Sequence, residues 1–168
     1  ISPIVWPSIN QCLNTSLLIS LDGFRWDYVD RFNPPHLSNF IRNGVNSKSL
    51  IPSYPTKTFP NHYTIATGLY PDKHGILGNS FYSYKNKTTY RIRDRKKVED
   101  GRFYQGTPIW NYANNSGMVT ASYFFVGSEA NIQGLNPTYY HKFDSKVKKE
   151  TRVNEVLNWL HLPKEKRP

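Results

Sequence analysis

The sequence predicts an α/β domain: a mostly parallel sheet flanked by helices. Short apolar runs of strand length, residues 17–21, 45–51 and 118–126, alternate with segments of helical periodicity. Pro before and Gly after punctuate those helical segments, the asymmetry helices favour at their two ends. The 168 residues, 38% of them hydrophobic, suffice for one packed core and are too few for two comfortable ones.

In chain order, residues 17–21 (Leu-Leu-Ile-Ser-Leu) read as a buried strand ending at Asp22, with Gly23 allowing a sharp turn at its edge. Asn33-Pro-Pro35 breaks the chain before a helix over 36–43, where Leu37, Phe40 and Ile41 share a face and Gly44 supplies the stop. Residues 45–51 read as a second strand. A helix runs from Pro60 to Thr67 with Gly68 after it, and another from Pro108 to Ser116 before Gly117. Residues 118–126 read as a third strand. Val153, Val156, Leu157 and Leu160 repeat at i, i+3, i+4 and i+7, the clearest amphipathic helix in the chain. Residues 83–106 have no clear period and read as a surface insertion.

Strand ends are where open α/β sheets gather ligands, so Asp22 is a candidate ligand for a divalent cation. The competing reading is a turn cap, since Asp-Gly is a common turn pair. Thr58 stands just before the expected helix start. There it is either an alcohol nucleophile activated by a metal or an ordinary capping threonine, and Thr56 competes for both roles. Asn79, at the end of a glycine-studded loop, has an amide able to donate to a phosphoryl oxygen. His62 and His74, 12 residues apart across a helix end, match no local ligand pair and read as structural.

Net charge is +10 and uneven. Residues 1–84 carry 6 Lys+Arg against 4 Asp+Glu, and residues 85–168 carry 16 against 8. An anionic partner fits this balance. The densest basic run, Arg91 to Lys97, is interrupted by Asp94 and followed by Glu99 and Asp100, the pattern of a solvated loop; nucleic-acid binding is the weaker reading. The lone Cys12 offers neither an internal disulfide nor a thiolate cluster. Three N-x-Ser/Thr triplets, at Asn14, Asn86 and Asn114, tilt toward an extracellular, N-glycosylated protein. No run of about 20 apolar residues could span a membrane. An Ile start and a stop at Lys-Glu-Lys-Arg-Pro168 read as a piece of a longer protein.

Ser20-Leu-Asp-Gly-Phe-Arg25, Tyr54-Pro-Thr-Lys-Thr-Phe-Pro-Asn-His-Tyr63, Thr67-Gly-Leu-Tyr-Pro71 and His74-Gly-Ile-Leu-Gly-Asn79 closely resemble the nucleotide pyrophosphatase/phosphodiesterase family of the alkaline phosphatase superfamily. The similarity continues through Thr107-Pro-Ile-Trp110, Gly127-Ser-Glu129 and Leu157-Asn-Trp-Leu-His-Leu-Pro163. The resemblance implies an alkaline-phosphatase-like fold, two zinc ions in the complete enzyme and a phosphodiester or nucleotide substrate. Position by position it makes Asp22 a zinc ligand and Thr58 a zinc-touching nucleophile that forms a phospho-threonine intermediate. Asn79 becomes a phosphoryl-oxygen donor, Phe59 a base-stacking aromatic, and Phe143 sits near the second stacking position, usually Tyr. Phe125-Val126 departs from a Trp-Pro usual in the family. The remaining zinc ligands of the family lie beyond the position of Pro168, so residues 15–168 read as the N-terminal part of a catalytic domain, incomplete at its C-terminal end, with 1–14 as a flanking segment. Later strands would be missing too, leaving an apolar sheet edge uncovered. The alternative is a truncated, inactive fragment that binds nucleotides or other anions.

Overall fold

The computed structural model describes residues 15–168; Cys12 and Asn14 lie outside them. The elements run α1 (Tyr28–Phe32), α2 (Pro35–Arg42), α3 (Thr58–Thr67), α4 (Pro71–His74), β1 (Ser80–Ser83), β2 (Thr88–Arg91), α5 (Arg95–Val98), a 3-10 turn at Gly101–Phe103, α6 (Ile109–Asn115), β3 (Ala121–Tyr123), β4 (Tyr139–His141) and α7 (Lys149–Leu160). Strands and helices intermingle, as an α/β chain requires. The described strands form two pairs: β1 and β2 an antiparallel hairpin, β3 and β4 a parallel pair with Ala121 opposite Tyr139. The parallel pairing expected of the sheet is therefore carried by β3 and β4.

Residues 17–21 and 45–51, expected as strands, are irregular and pair with none of the described residues, and the second is bent at Lys48. Ile19 is 70% exposed and Ile51 88%. A strand is not a property of its own residues, because its N–H and C=O groups need a neighbouring edge, and none of the described residues supplies one here. The third expected strand shrinks from 118–126 to Ala121–Tyr123.

The core sits where the sequence showed no period. Tyr90 of β2 is fully buried, stacked on Phe81 (5.0 Å, 24°) and edge-on to Phe103 (5.1 Å). Val98, Phe103 and Tyr104 join it, packed against Tyr63 of α3 and Ile76. Tyr104 Oη donates to the Val98 carbonyl (2.9 Å), and Tyr90 Oη lies 2.8 Å from Tyr104 Oη, so two buried phenols satisfy each other in a chain. Burial pushes both phenols above their ordinary pKa. Residues 83–106 are thus a wall of the core, not a surface insertion. At Gly101 the approach is close: a Cβ there would stand 1.9 Å from the Asn131 carbonyl oxygen. Asn111 of α6 adds a buried bond from its amide to the Ile132 carbonyl (2.8 Å).

The expected helices form. α7 spans its expected segment, and Val156 and Leu160 of the expected stripe are half-buried, but Val153 and Leu157 face water and the covered face turns toward Arg152, Glu155 and Trp159. Trp159 decides this, its ring stacking on His141 (5.7 Å, 11°) and Tyr139 (6.2 Å, 20°) of β4. No helix among the described residues is long and apolar enough to cross a membrane.

Candidate active site

Thr58 opens α3 rather than preceding it. The N-cap is Lys57, whose own side chain makes no capping bond, so the capping reading of Thr58 is not the one realised. Asn61, in the first turn, cinches the approach: its Oδ1 accepts the Ser53 N–H (2.8 Å), and its amide reaches the carbonyls of Pro55 (3.1 Å) and Lys57 (3.0 Å). These bonds hold the loop that delivers Thr58. Asn61 was missed in the sequence, since an Asn one position after a Phe-Pro pair carries no signature of its own.

Asp22 leaves the end of the exposed 17–21 run, at a turn where Gly23 takes φ +73°. Thr58 Oγ1 lies 3.3 Å from Asp22 Oδ2. That is long for an alcohol donating to a carboxylate, where about 2.5–2.7 Å is usual. It is the spacing of two corners of a metal site: oxygens 2.0–2.2 Å from a tetrahedral zinc stand about 3.3–3.6 Å apart. These two donors therefore fit a shared cation. They are two of the four that such an ion needs, and among the described residues no group of three or more His, Cys, Asp or Glu side chains could hold a metal. Thr56 has no such contact and is exposed.

Asn79, half-buried, meets the same helix end. The Phe59 N–H donates to its Oδ1 at 3.1 Å. A backbone N–H can only donate, so the atom facing it is the oxygen, and the amide NH2 is directed away. Pro60 has no N–H, and that of Phe59 is committed to Asn79. Among the described residues the first-turn donor left toward an anion at this helix end is the N–H of Thr58 itself.

The two aromatics are held differently. Phe59 packs into the core, its ring 6.3 Å from Tyr90. Phe143 is 46% exposed, with its ring 5.2 Å edge-on to Phe124, and the two candidate stacking rings are not in ring contact with each other. Glu129, 8% exposed, takes the Phe143 N–H (2.9 Å) and pairs with Arg95, whose guanidinium also lies 5.8 Å over the Phe143 ring. Arg95 comes from the run that read as a solvated loop; its partner lies 34 residues away, and no local pattern announces it. Phe124 holds φ +65°, a strained value for a bulky residue, and the Arg152 guanidinium covers its ring at 4.9 Å.

His74 is buried and structural in geometry. Its Nδ1 accepts the Ile76 N–H (3.1 Å), so Nε2 carries the hydrogen and faces the Pro60 carbonyl (3.1 Å) and Thr64 Oγ1 (3.0 Å). Burial holds its pKa below the ordinary value.

Residues 16–168 match the family model described as type I phosphodiesterase / nucleotide pyrophosphatase. The chain belongs to this family. It is 41% identical over 155 residues to human ectonucleotide pyrophosphatase/phosphodiesterase family member 1, covering 91% of this chain and 17% of that protein. A venom phosphodiesterase, CdcPDE of Crotalus durissus collilineatus, is 41% identical over 154 residues, 90% of this chain and 18% of its own. Among solved structures, murine ectonucleotide pyrophosphatase/phosphodiesterase 5, an inactive threonine-to-alanine variant in complex with AMP, superposes with a TM-score of 0.82 at 31% identity. That match covers 89% of this chain and 39% of the other. The chain described here thus spans under a fifth of the length of these curated relatives. Its α/β fold is the alkaline-phosphatase-like one of these neighbours.

Proposed function

We propose that the protein is a metal-dependent hydrolase of phosphodiester or pyrophosphate bonds, acting on nucleotide-type substrates through Thr58. The observation that carries this reading is the 3.3 Å spacing of Asp22 Oδ2 and Thr58 Oγ1 at the opening turn of α3. Relatives named as phosphodiesterases, and a neighbour described as an inactive threonine-to-alanine variant bound to AMP, support it. They favour catalysis over bare anion binding.

Asp22 and Thr58 would hold one of two zinc ions, with the other donors coming from outside the described residues. Bound there, zinc supplies Lewis acidity that lowers the pKa of the threonine alcohol. Thr58 Oγ1 attacks phosphorus, the bond from phosphorus to the leaving oxygen breaks, and a phospho-threonine forms. The hydroxyl proton passes to solvent. The Asn79 amide and the Thr58 N–H steady the charge on the non-bridging oxygens. Water then cleaves the phospho-threonine and restores the alcohol. Phe59 and Phe143 flank the position of a base, which stacks on either ring whatever its identity.

Asp22→Asn keeps the shape of the side chain and removes its charge. Zinc per protein molecule falls in this variant while the melting temperature stays close to that of the parent. Elemental analysis checks the stoichiometry, and an unchanged zinc content removes Asp22 from the ligand set.

The family relatives are ectoenzymes and venom enzymes by name, which supports an extracellular setting and glycans at the sequons. The two described sequons differ. Asn86 lies in the turn between β1 and β2, with its amide at a looser 3.3 Å from the Arg102 carbonyl. Asn114 is committed on both sides: its amide donates to the Asn136 carbonyl (3.0 Å), and its Oδ1 accepts the hydroxyls of Thr120 (2.8 Å) and Thr138 (3.3 Å). Peptide mass spectrometry after glycosidase treatment is expected to find Asn86 occupied and Asn114 bare. Full occupancy at Asn114 would contradict this.

A further inference from the structure

Ser20 and His62 lie 42 residues apart in sequence and meet beside the Asp22–Thr58 pair. His62 Nε2 is 2.7 Å from Ser20 Oγ, and Nδ1 is 2.8 Å from the carbonyl oxygen of Thr58. A carbonyl only accepts, so Nδ1 carries the hydrogen, and in the neutral ring Nε2 receives the serine hydroxyl. The ring is half-buried and sits edge-on to Phe125 at 5.6 Å, which restricts its rotation. One imidazole therefore joins the backbone of the candidate nucleophile to a residue two positions before the candidate metal ligand.

We propose that His62 is a positioning residue that holds the Asp22-bearing segment against the first turn of α3. Among the described residues, none packs over residues 15–26 closely enough to bury them. Among the described residues, the side-chain hydrogen bonds joining residues 17–24 to α3 are Ser20 with His62 and Asp22 with Thr58. The first does not involve the reacting pair, and it fixes where Asp22 Oδ2 can stand. The inference rests on the reading of Asp22 and Thr58 as the cation-holding pair, and it assigns His62 no contact with metal or substrate.

The two ring nitrogens can be dissected. The amide of Asn overlays Nδ1 and keeps the bond to the Thr58 carbonyl, whereas that of Gln overlays Nε2 and keeps the reach to Ser20. In the full-length protein, His62→Ala is expected to weaken zinc retention against a chelator and to lower kcat, each by about 10–100-fold, the usual cost of losing an orienting partner. KM for a nitrophenyl nucleotide ester changes by less than about twofold, since the substrate pocket is untouched. His62→Gln restores most of both quantities, His62→Asn does not, and Ser20→Ala reproduces the loss. Hydrogen exchange of residues 17–23, read in zinc-free protein, speeds up in His62→Ala and Ser20→Ala alike. Parental kcat and zinc retention in His62→Ala, beside an inactive Thr58→Ala, would overturn the positioning role and leave the nucleophile reading standing. Full turnover in Thr58→Ala would overturn the nucleophile reading; the exchange rates of 17–23 then decide the tether alone, accelerated for it and unchanged against it.

Discussion

Thr58→Ala in the full-length protein lowers phosphodiester turnover by at least about 10³-fold, the scale on which a lost nucleophile is felt. The fold is expected to tolerate the change. Thr58 caps nothing, its helix being preceded by Lys57, and its hydroxyl makes one long contact, with Asp22. Thr58 is half-buried and lies outside the core cluster, so the change costs no more than about 1 kcal/mol of stability and the melting temperature stays near that of the parent. Steady-state hydrolysis of a nitrophenyl phosphodiester, read beside a thermal melt, checks both halves. Turnover within about tenfold of the parent would mean that the covalent step uses another group. Collapse of the fold would mean that Thr58 carries more packing than its contacts show.

Tyr90→Ala is the change with the largest expected effect on stability, about 3–5 kcal/mol, as for other large aromatic deletions from a core. The ring is fully buried and touches Phe59, Phe81, Phe103 and Tyr104. Its removal would leave a cavity beneath Phe59, so nucleotide binding is expected to weaken along with the fold. Tyr90→Phe separates the ring from the hydroxyl. It keeps the packing, and Tyr104 Oη still has the Val98 carbonyl as its acceptor, so the loss is about 1 kcal/mol. Urea unfolding monitored by tryptophan fluorescence compares the two. A cost below about 1 kcal/mol for the alanine variant would return residues 83–106 to the surface.

Those residues show where reading the sequence ran out. Helices α2, α3, α6 and α7 were legible because their punctuation is local: Pro at or near the start, Gly just past the end of the first three, and a 3.6-residue pattern within α7. Tyr90, Val98, Phe103 and Tyr104 follow no period, since they come from β2, α5 and the 3-10 turn with the residue that ends it, and these pieces meet only in space. Even in α7, where the period was clear, the phase was set by a single Trp that the stripe of Val and Leu had outvoted. At the site, residue type and motif pointed to Asp22, Thr58, Asn79, Phe59 and Phe143. What surrounds them did not show: the bracing by Asn61, the Arg95–Glu129 pair behind Phe143 and the bridge made by His62 each join groups through three-dimensional contact. The expected strands at 17–21 and 45–51 failed for the complementary reason. Hydrophobic runs record an appetite for burial, and a ladder also needs an edge to pair with.

The two oxygens of the described site are anchored differently. Thr58 rides on a helix packed into the aromatic core through Phe59, Tyr63 and Ala66, while Asp22 reaches that helix through its own contact and the Ser20–His62 bond. A core substitution that shifts the helix would therefore change the distance between the two oxygens without touching either residue.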